Sequence, residues 1–177
     1  MIKSDAIKVF FIIFSACILR VFFDFINDIE IHYEEAQYWV WSQNPSLSYL
    51  TKGPFIAQAI AISEWIFGHS YLGLKFLSFV SYGGTAIIIG VCSYLISKEK
   101  TAFYLGVLFT LSSPAIFALG GIASTDIYLF LFWSVCLLGY IKFLETKDQK
   151  WFYLIAIGIG FGTLTKLSII LFPLSVL

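Results

Sequence analysis

The chain has 177 residues, of which 59% are hydrophobic, 19% aromatic and only 12% charged. A soluble domain has about 25% charged residues, so this composition predicts an integral membrane protein. Eleven basic residues balance eleven acidic ones, and zero net charge gives no indication of a nucleic acid or acidic partner. The cysteines lie far apart inside apolar runs, without metal-ligand spacing, and are interpreted as buried apolar residues: Cys17, Cys92 and Cys136.

The apolar runs predict an all-α fold, a polytopic bundle of about five or six membrane helices. The first run, 6–23, is about 27 Å long as a helix, close to the thickness of a bilayer core. Near its outer end Arg20 and Asp24, four residues apart, are placed to pair. The run 55–67, about 20 Å long, is too short to cross and is predicted to lie on the membrane surface. Further apolar runs follow at 71–96, 102–119, 127–144 and 151–177.

Lysine placement predicts how these helices are oriented. If the surface helix 55–67 stays on one side, seven of the eleven basic residues share one face. The positive-inside rule makes this face cytoplasmic, so we expect a multi-pass protein of the inner (cytoplasmic) membrane with a cytoplasmic N-terminus. Residues 1–177 then form one membrane domain, and 27–70 form the first outer loop, with interfacial helices. The seven residues are Lys3, Lys8, Lys98, Lys100, Lys142, Lys147 and Lys150.

Acidic residues are expected on the outer side, at the starts of two helices. Glu34 and Glu35 fall in the first turn of the helix-compatible segment 34–43, where the helix dipole favours an anion. Tyr38 shares a helix face with Glu34. Asp126 stands at the mouth of a span, where ionisable groups are rare and usually functional. A solvated helix start or a helix cap explains these acids equally well, and that alternative stays open from the residues alone.

Two lysines are expected near these acids. Lys52 belongs to a turn in which Gly53 and Pro54 fix a sharp bend. Lys166 lies about 22 Å along the helix that starts at Trp151, although a lysine snorkelling from a helix end is an equally good explanation. Acids and lysines at one membrane face suit a lipid-linked substrate, since a carboxylate accepts a proton from an attacking hydroxyl or amine and a lysine neutralises a phosphate leaving group.

Three motifs resemble those of bacterial GT-C glycosyltransferases, membrane enzymes related to protein O-mannosyltransferases and to the lipid A aminoarabinose transferase. The string HYEEAQYWVWSQNPSLSYLTKGPFIAQAIA, followed by IFGHS, is similar to their first outer loop. ASTDIYLFLFW is similar to their second acidic loop, and GIGFGTLTKLS to their glycine-rich segment ending in Ser/Thr-Lys. The resemblance implies transfer of a sugar from a polyprenyl phosphate carrier to a lipid, glycan or protein acceptor at the outer membrane face.

The resemblance also implies roles for individual residues. Glu34 stands where the family has an aspartate that acts as base or orients the acceptor, Glu35 matches the glutamate beside it, and Asp126 matches the second-loop acid. Lys52 matches the lysine that holds the polyprenyl phosphate. His69 departs from the family pattern, which has an aspartate there, and Glu34 is one methylene longer than the family's aspartate. Further candidates for binding the substrate or donor phosphate are Lys166, Gln37 and Tyr38.

The resemblance leaves two matters open. No cofactor is expected, while a divalent metal stays compatible with the motifs; membrane lipids are expected partners and nucleic acid is not. Family members have more spans than this chain, so the chain is expected to be an N-terminal portion of such an enzyme. A catalytically inactive truncated remnant, or a small polytopic binding or transport protein, is the alternative. Transport usually leaves inverted repeats and mid-span charges, and Lys75 and Glu64 are the additional charged candidates, outside any convincing repeat.

Overall fold

The computed structural model describes residues 3–26, 31–49 and 52–176. Within these ranges the chain forms α-helices and one short 3-10 turn, with no β-strand, which confirms the predicted all-α fold. Asp28 and Glu30 of the expected outer loop lie outside the described residues, as does the start of the Lys52 turn. The helices are α1 (Lys3–Ile26), α2 (Tyr33–Ser42), α3 (Phe55–Phe67), α4 (Tyr71–Ser97), α5 (Lys100–Ser112), α6 (Pro114–Gly120), α7 (Thr125–Thr146), α8 (Trp151–Thr165) and α9 (Leu171–Ser175).

Three of these helices, α1, α4 and α7, are long and apolar enough to cross a membrane. A fourth crossing results if α5 and α6 are counted as one broken span, since they pass the same test together and are bent by 66°. The sequence predicts one continuous helix over 102–119, so the structure differs from that prediction at the bend. Pro114, the first residue of α6, explains it because a proline has no backbone N–H and its ring clashes with the preceding turn.

The two remaining apolar helices are shorter. Helix α3 has 13 residues, with the bounds that the sequence predicts for a surface helix. Helix α8 has 15 residues, and a 3-10 turn, Leu167–Ile170, separates it from α9. The last apolar block, 151–177, is thus divided at Thr165 and Lys166, where polar residues interrupt the apolar run.

Helix α4 lies at the centre of the bundle and packs against α3, α5 and α7, while α7 also packs against α8. Tyr82 of α4 is fully buried and donates a 2.6 Å hydrogen bond to the carbonyl of Leu111. At Gly90 an added Cβ would lie 2.7 Å from the Val107 side chain, so this glycine allows α4 and α5 to approach closely. Two of the cysteines are buried, and Cys17 is half-buried.

Charged side chains gather at the ends of the bundle. At one end the Nζ atom of Lys100 lies 3.1 Å from Asp5, and Glu145 pairs with both Lys98 and Lys142. These contacts bring the start of α1, the start of α5 and the end of α7 to the face that the lysine count predicts to be cytoplasmic. Helix α1 is otherwise weakly covered by protein, since many of its large apolar side chains are exposed.

Candidate functional site

A polar site lies at the opposite end of the bundle, around the start of α2. His32 caps this helix: its Nδ1 accepts a 3.4 Å hydrogen bond from the backbone N–H of Glu34, and its own N–H donates a 3.0 Å bond to Glu35 Oε2. This reciprocal arrangement is a capping box, which satisfies N–H groups that a helix start leaves unpaired. The cap uses the carboxylate of Glu35, so the carboxylate of Glu34 is directed to other partners.

Glu34 contacts two of the residues that the sequence placed with it. Its Oε1 lies 3.6 Å from Lys52 Nζ, and its Oε2 accepts a 3.3 Å hydrogen bond from the hydroxyl of Tyr38. The side chains of Glu34 and Lys52 are 31% and 29% exposed, so a substrate can reach them. Tyr38 is fully buried. Burial, followed by the charge of Glu34, raises the pKa of the Tyr38 phenol, which therefore remains a hydrogen-bond donor at neutral pH.

The second pair joins the start of α7 to the end of α8. Asp126 Oδ1 accepts a 2.6 Å hydrogen bond from Lys166 Nζ, and both side chains are partly exposed. The charge of Asp126 also acts on the Tyr38 phenol and raises its pKa, more weakly than Glu34 does, while a hydrogen bond with Thr125 lowers it. The Tyr38 phenol is therefore within electrostatic reach of both acids and in hydrogen-bond contact with Glu34.

Gly53 allows the segment that carries Lys52 to approach the segment that carries Lys166. An added Cβ at Gly53 would overlap the carbonyl group of Leu164 and lie 3.0 Å from the carbonyl oxygen of Thr165. The turn that carries Lys52 is thus in close backbone contact with the last turn of α8, directly before Lys166. Any larger residue at position 53 would push the two segments apart.

A buried charge network lies beneath α2. Lys75 is 1% exposed, and its Nζ lies 3.4 Å from Glu35 Oε1 and 3.9 Å from Asp24 Oδ2 while donating a 2.8 Å bond to the carbonyl of Gly121. Asp24 is also paired with Arg20, which confirms the pairing expected from their spacing. Sequence reasoning missed this network, noting Lys75 only as an additional charged residue. A lysine inside a predicted span is the signal that pointed to it.

The network connects the two acidic helix starts. Glu35 is 1% exposed, and its Oε1 accepts a 2.7 Å hydrogen bond from the backbone N–H of Ala123. Lys75 and Glu35 thus hold two backbone groups of the turn between α6 and α7, Gly121 and Ala123. Because Glu34 precedes Glu35 and Asp126 follows this turn, the network sets the positions of the two acids relative to each other.

The seven candidate residues thus fall into four sets. Glu34, Tyr38 and Lys52 form one contact group, and Asp126 with Lys166 forms the second. Glu35 lies beneath them in the buried network. Gln37 is exposed on α2, and its side chain makes no hydrogen bond within the part of the chain that the structure describes. In that same part no three His, Cys, Asp or Glu residues are grouped to hold a metal ion, and lysines are the partners of the exposed acids.

The fold and the site together define a multi-pass α-helical membrane protein with lysine-paired carboxylates at one end of its bundle. The family described as dolichyl-phosphate-mannose-protein mannosyltransferase matches residues 51–177, and the chain belongs to this family. This confirms the GT-C glycosyltransferase resemblance.

Two kinds of relative are similar to this chain. A lipid A galacturonosyltransferase of Rhizobium johnstonii is 25% identical over 138 residues, which cover 77% of this chain and 29% of that protein. An undecaprenyl phosphate-α-4-amino-4-deoxy-L-arabinose arabinosyl transferase of Yersinia pestis is 26% identical over 111 residues, covering 59% of this chain and 20% of that protein. The chain therefore spans less than a third of the length of these relatives. No solved structure matches it.

Proposed function

We propose that this chain carries the catalytic outer-face site of a glycosyltransferase that moves a sugar from a polyprenyl phosphate carrier to an acceptor lipid. The observation that carries the proposal is the contact of Glu34 with both Lys52 and the buried hydroxyl of Tyr38. Two relatives support the kind of substrate, because one is named for lipid A and the other for an undecaprenyl phosphate-linked sugar. Glycan and protein acceptors are the alternatives for the same chemistry.

Glu34 is the proposed proton acceptor. An acceptor hydroxyl or amine attacks the anomeric carbon, its proton passes to the Glu34 carboxylate, and the bond between that carbon and the phosphate oxygen breaks. The hydrogen bond from Tyr38 occupies Oε2, so Oε1 is the atom that receives the proton. Tyr38 therefore acts by orienting the carboxylate.

Lys52 is the proposed partner of the leaving phosphate, which departs with the bonding electrons. Its Nζ lies 3.6 Å from Glu34, longer than a hydrogen bond, so its N–H donors are available to phosphate oxygens. Lys166 supplies a second positive charge, held in place by Asp126. Exposed Gln37 is proposed to contact the substrate, and Glu35 is proposed to act through the position of its neighbour.

The proposed orientation puts this site outside and the Lys98–Glu145 end of the bundle inside, in the cytoplasmic membrane. The balance of lysines supports it, as does the position of the two acid pairs at the opposite end from Glu145. In this arrangement 27–70 is the first outer loop of a single membrane domain, and α2 and α3 lie at the membrane surface.

Transfer by the reconstituted chain tests the proposal. Proteoliposomes are given radiolabelled polyprenyl phosphate sugars with lipid acceptors, and the sugar moved to the acceptor is counted. Glu34→Gln keeps the shape of the side chain but removes the base, and we expect a loss of about 10² to 10⁴-fold in rate; Asp126→Asn is expected to lower the rate as well. Glu99→Gln, an exposed acid before α5, is the matched control. Undiminished transfer by both Glu34→Gln and Asp126→Asn would overturn the proposal.

A further inference from the structure

A cavity of about 470 Å³ opens beside α2, on a different face from Glu34. Ala36 and Trp39 of α2 line it, and at about 100° per residue Trp39 lies roughly 140° around the helix from Glu34. The opposite wall comes from the end of α3 and the start of α4, including Glu64, His69 and Leu74. The cavity and the proposed catalytic site are therefore separated by the width of one helix.

Glu64 and His69 form a carboxylate–histidine pair at this cavity. Glu64 Oε1 lies 2.9 Å from His69 Nδ1 and also accepts a 2.7 Å bond from Trp39 Nε1, while Oε2 accepts a 2.9 Å bond from Gln43. Burial tends to raise the pKa of Glu64, but the bonds from His69, Trp39 and Gln43 together lower it below its usual value. The carboxylate is therefore ionised and can only accept hydrogen bonds.

This pairing determines the tautomer of His69. Because Glu64 can only accept, Nδ1 carries a proton, and in the neutral form of the ring Nε2 then has a lone pair. The His69 side chain is 69% exposed, and Nε2 has no hydrogen-bond partner among residues 3–26, 31–49 and 52–176. Position 69 thus presents an oriented acceptor atom at the wall of the cavity.

The indole and hydroxyl groups that line the cavity donate their hydrogens within the protein. Trp39 donates to Glu64, the hydroxyl of Tyr71 donates a 2.7 Å bond to Asp24, and the hydroxyl of Ser70 donates a 3.1 Å bond to the carbonyl of Phe67. The side chains of the cavity therefore offer acceptors and apolar surface, and no lysine or arginine is among the described residues that line it. A ligand that donates hydrogen bonds fits these side chains better than a phosphate, which accepts them.

We propose that this cavity binds the hydroxyl-bearing headgroup of an amphiphile, with one hydroxyl donating to His69 Nε2 and apolar atoms against Trp39 and Leu74. Calling that amphiphile the acceptor lipid rests on the proposed function. A helix is about 10 to 12 Å wide with its side chains, so a headgroup of two or more sugar rings held here extends around α2 to the carboxylate of Glu34.

Binding of a photoreactive dodecyl glucoside to the reconstituted chain tests this site. The probe is titrated in phosphatidylcholine vesicles, its dissociation constant is measured by competition with unlabelled dodecyl glucoside, and cross-linked residues are mapped by mass spectrometry. Labelling is expected on α2 and at the start of α4, and dodecyl phosphate is expected to compete poorly. Preferential competition by dodecyl phosphate, or labelling confined to other helices, would overturn the proposal.

Two variants of His69 separate binding from folding. His69→Asn keeps a nitrogen donor where Nδ1 bonds to Glu64 but removes Nε2, and we expect about tenfold weaker binding, the size of one hydrogen bond. His69→Gln places a polar atom near Nε2 and is expected to recover part of the affinity. As a second test, Ala36→Leu fills the cavity from the opposite wall and is expected to reduce binding without touching Glu64. Unchanged binding in both His69→Asn and Ala36→Leu would refute the assignment.

Repeating the binding assay with Glu34→Gln separates the cavity assignment from the proposed function, because binding is then measured in a variant that lacks the proposed base. Probe binding without any sugar transfer by the unaltered chain would overturn the proposed function and support the cavity assignment. Sugar transfer with an acceptor KM that His69→Asn leaves unchanged would support the proposed function and overturn the cavity assignment.

Discussion

Replacing Lys75 by methionine is the most informative test of the buried network. The variant keeps a long apolar side chain and removes the ammonium group that contacts Glu35, Asp24 and the carbonyl of Gly121. Breaking a buried ion pair by removing one partner costs about 3 to 5 kcal/mol. Asp24 retains Arg20, so the unpaired charge falls mainly on Glu35, and we expect a loss of about 3 kcal/mol in the free energy of unfolding.

A double-mutant cycle tests this reasoning. Glu35→Gln in the Lys75→Met background removes the uncompensated charge, so we expect the double variant to be more stable than Lys75→Met alone. Unfolding is followed by circular dichroism in mixed micelles with increasing SDS, and sugar transfer is measured in parallel. Lys100→Met is the matched control, since Lys100 is 62% exposed in its pair with Asp5 and water therefore screens its charge. The reasoning is refuted if Lys75→Met is no less stable than Lys100→Met, or if Glu35→Gln brings no recovery.

Three further predictions concern neighbouring contacts. Gly53→Ala should push the Lys52 turn away from the Leu164 carbonyl and raise the KM for the sugar donor. A rise in the acceptor KM alone would contradict this packing. Tyr38→Phe should lower kcat about tenfold through the lost hydrogen bond, with little change in secondary structure by circular dichroism. The pKa of Glu64 is lowered in the folded protein, so its carboxylate should stabilise the docking of α2 on α3. This stabilisation is complete above the pKa of an unfolded glutamate, about 4.3, and is lost as the pH falls through the lower pKa of the folded protein. An acid titration of unfolding should show that loss in the unaltered chain and not in Glu64→Gln.

The sequence was sufficient for features set by local pattern. The bounds of α3 could be predicted because an apolar run lies between Pro54 and Gly68, both of which interrupt helices. The pairing of Arg20 with Asp24 follows from their separation of one helical turn. The approach of Lys52 to Glu34 was expected from the motif that carries both.

Contacts between distant segments could not be predicted in the same way. Lys75 and Glu35 are 40 residues apart in the sequence, and nothing in their immediate surroundings indicates that they meet beneath α2. For the same reason, the sequence motif does not distinguish Glu35 from Glu34, although the structure separates their contacts. The carboxylate of Glu35 is enclosed by backbone N–H groups and Lys75, and that of Glu34 faces Lys52. The bend between α5 and α6 depends on Pro114, a single residue within an apolar run that otherwise predicts one helix.

Helix α1 is held at both of its ends, a fixed distance apart. It is tied to the rest of the protein at one end by Asp5 and at the other by Asp24, and most of the large apolar side chains between them are exposed. The two ties are separated by about 29 Å at 1.5 Å per residue, nearly the thickness of a hydrocarbon core, about 30 Å. A much thinner or thicker bilayer would tilt or displace helix α1. Because Asp24 contacts Lys75, which bonds to the turn before Asp126, this displacement would be transmitted to that turn.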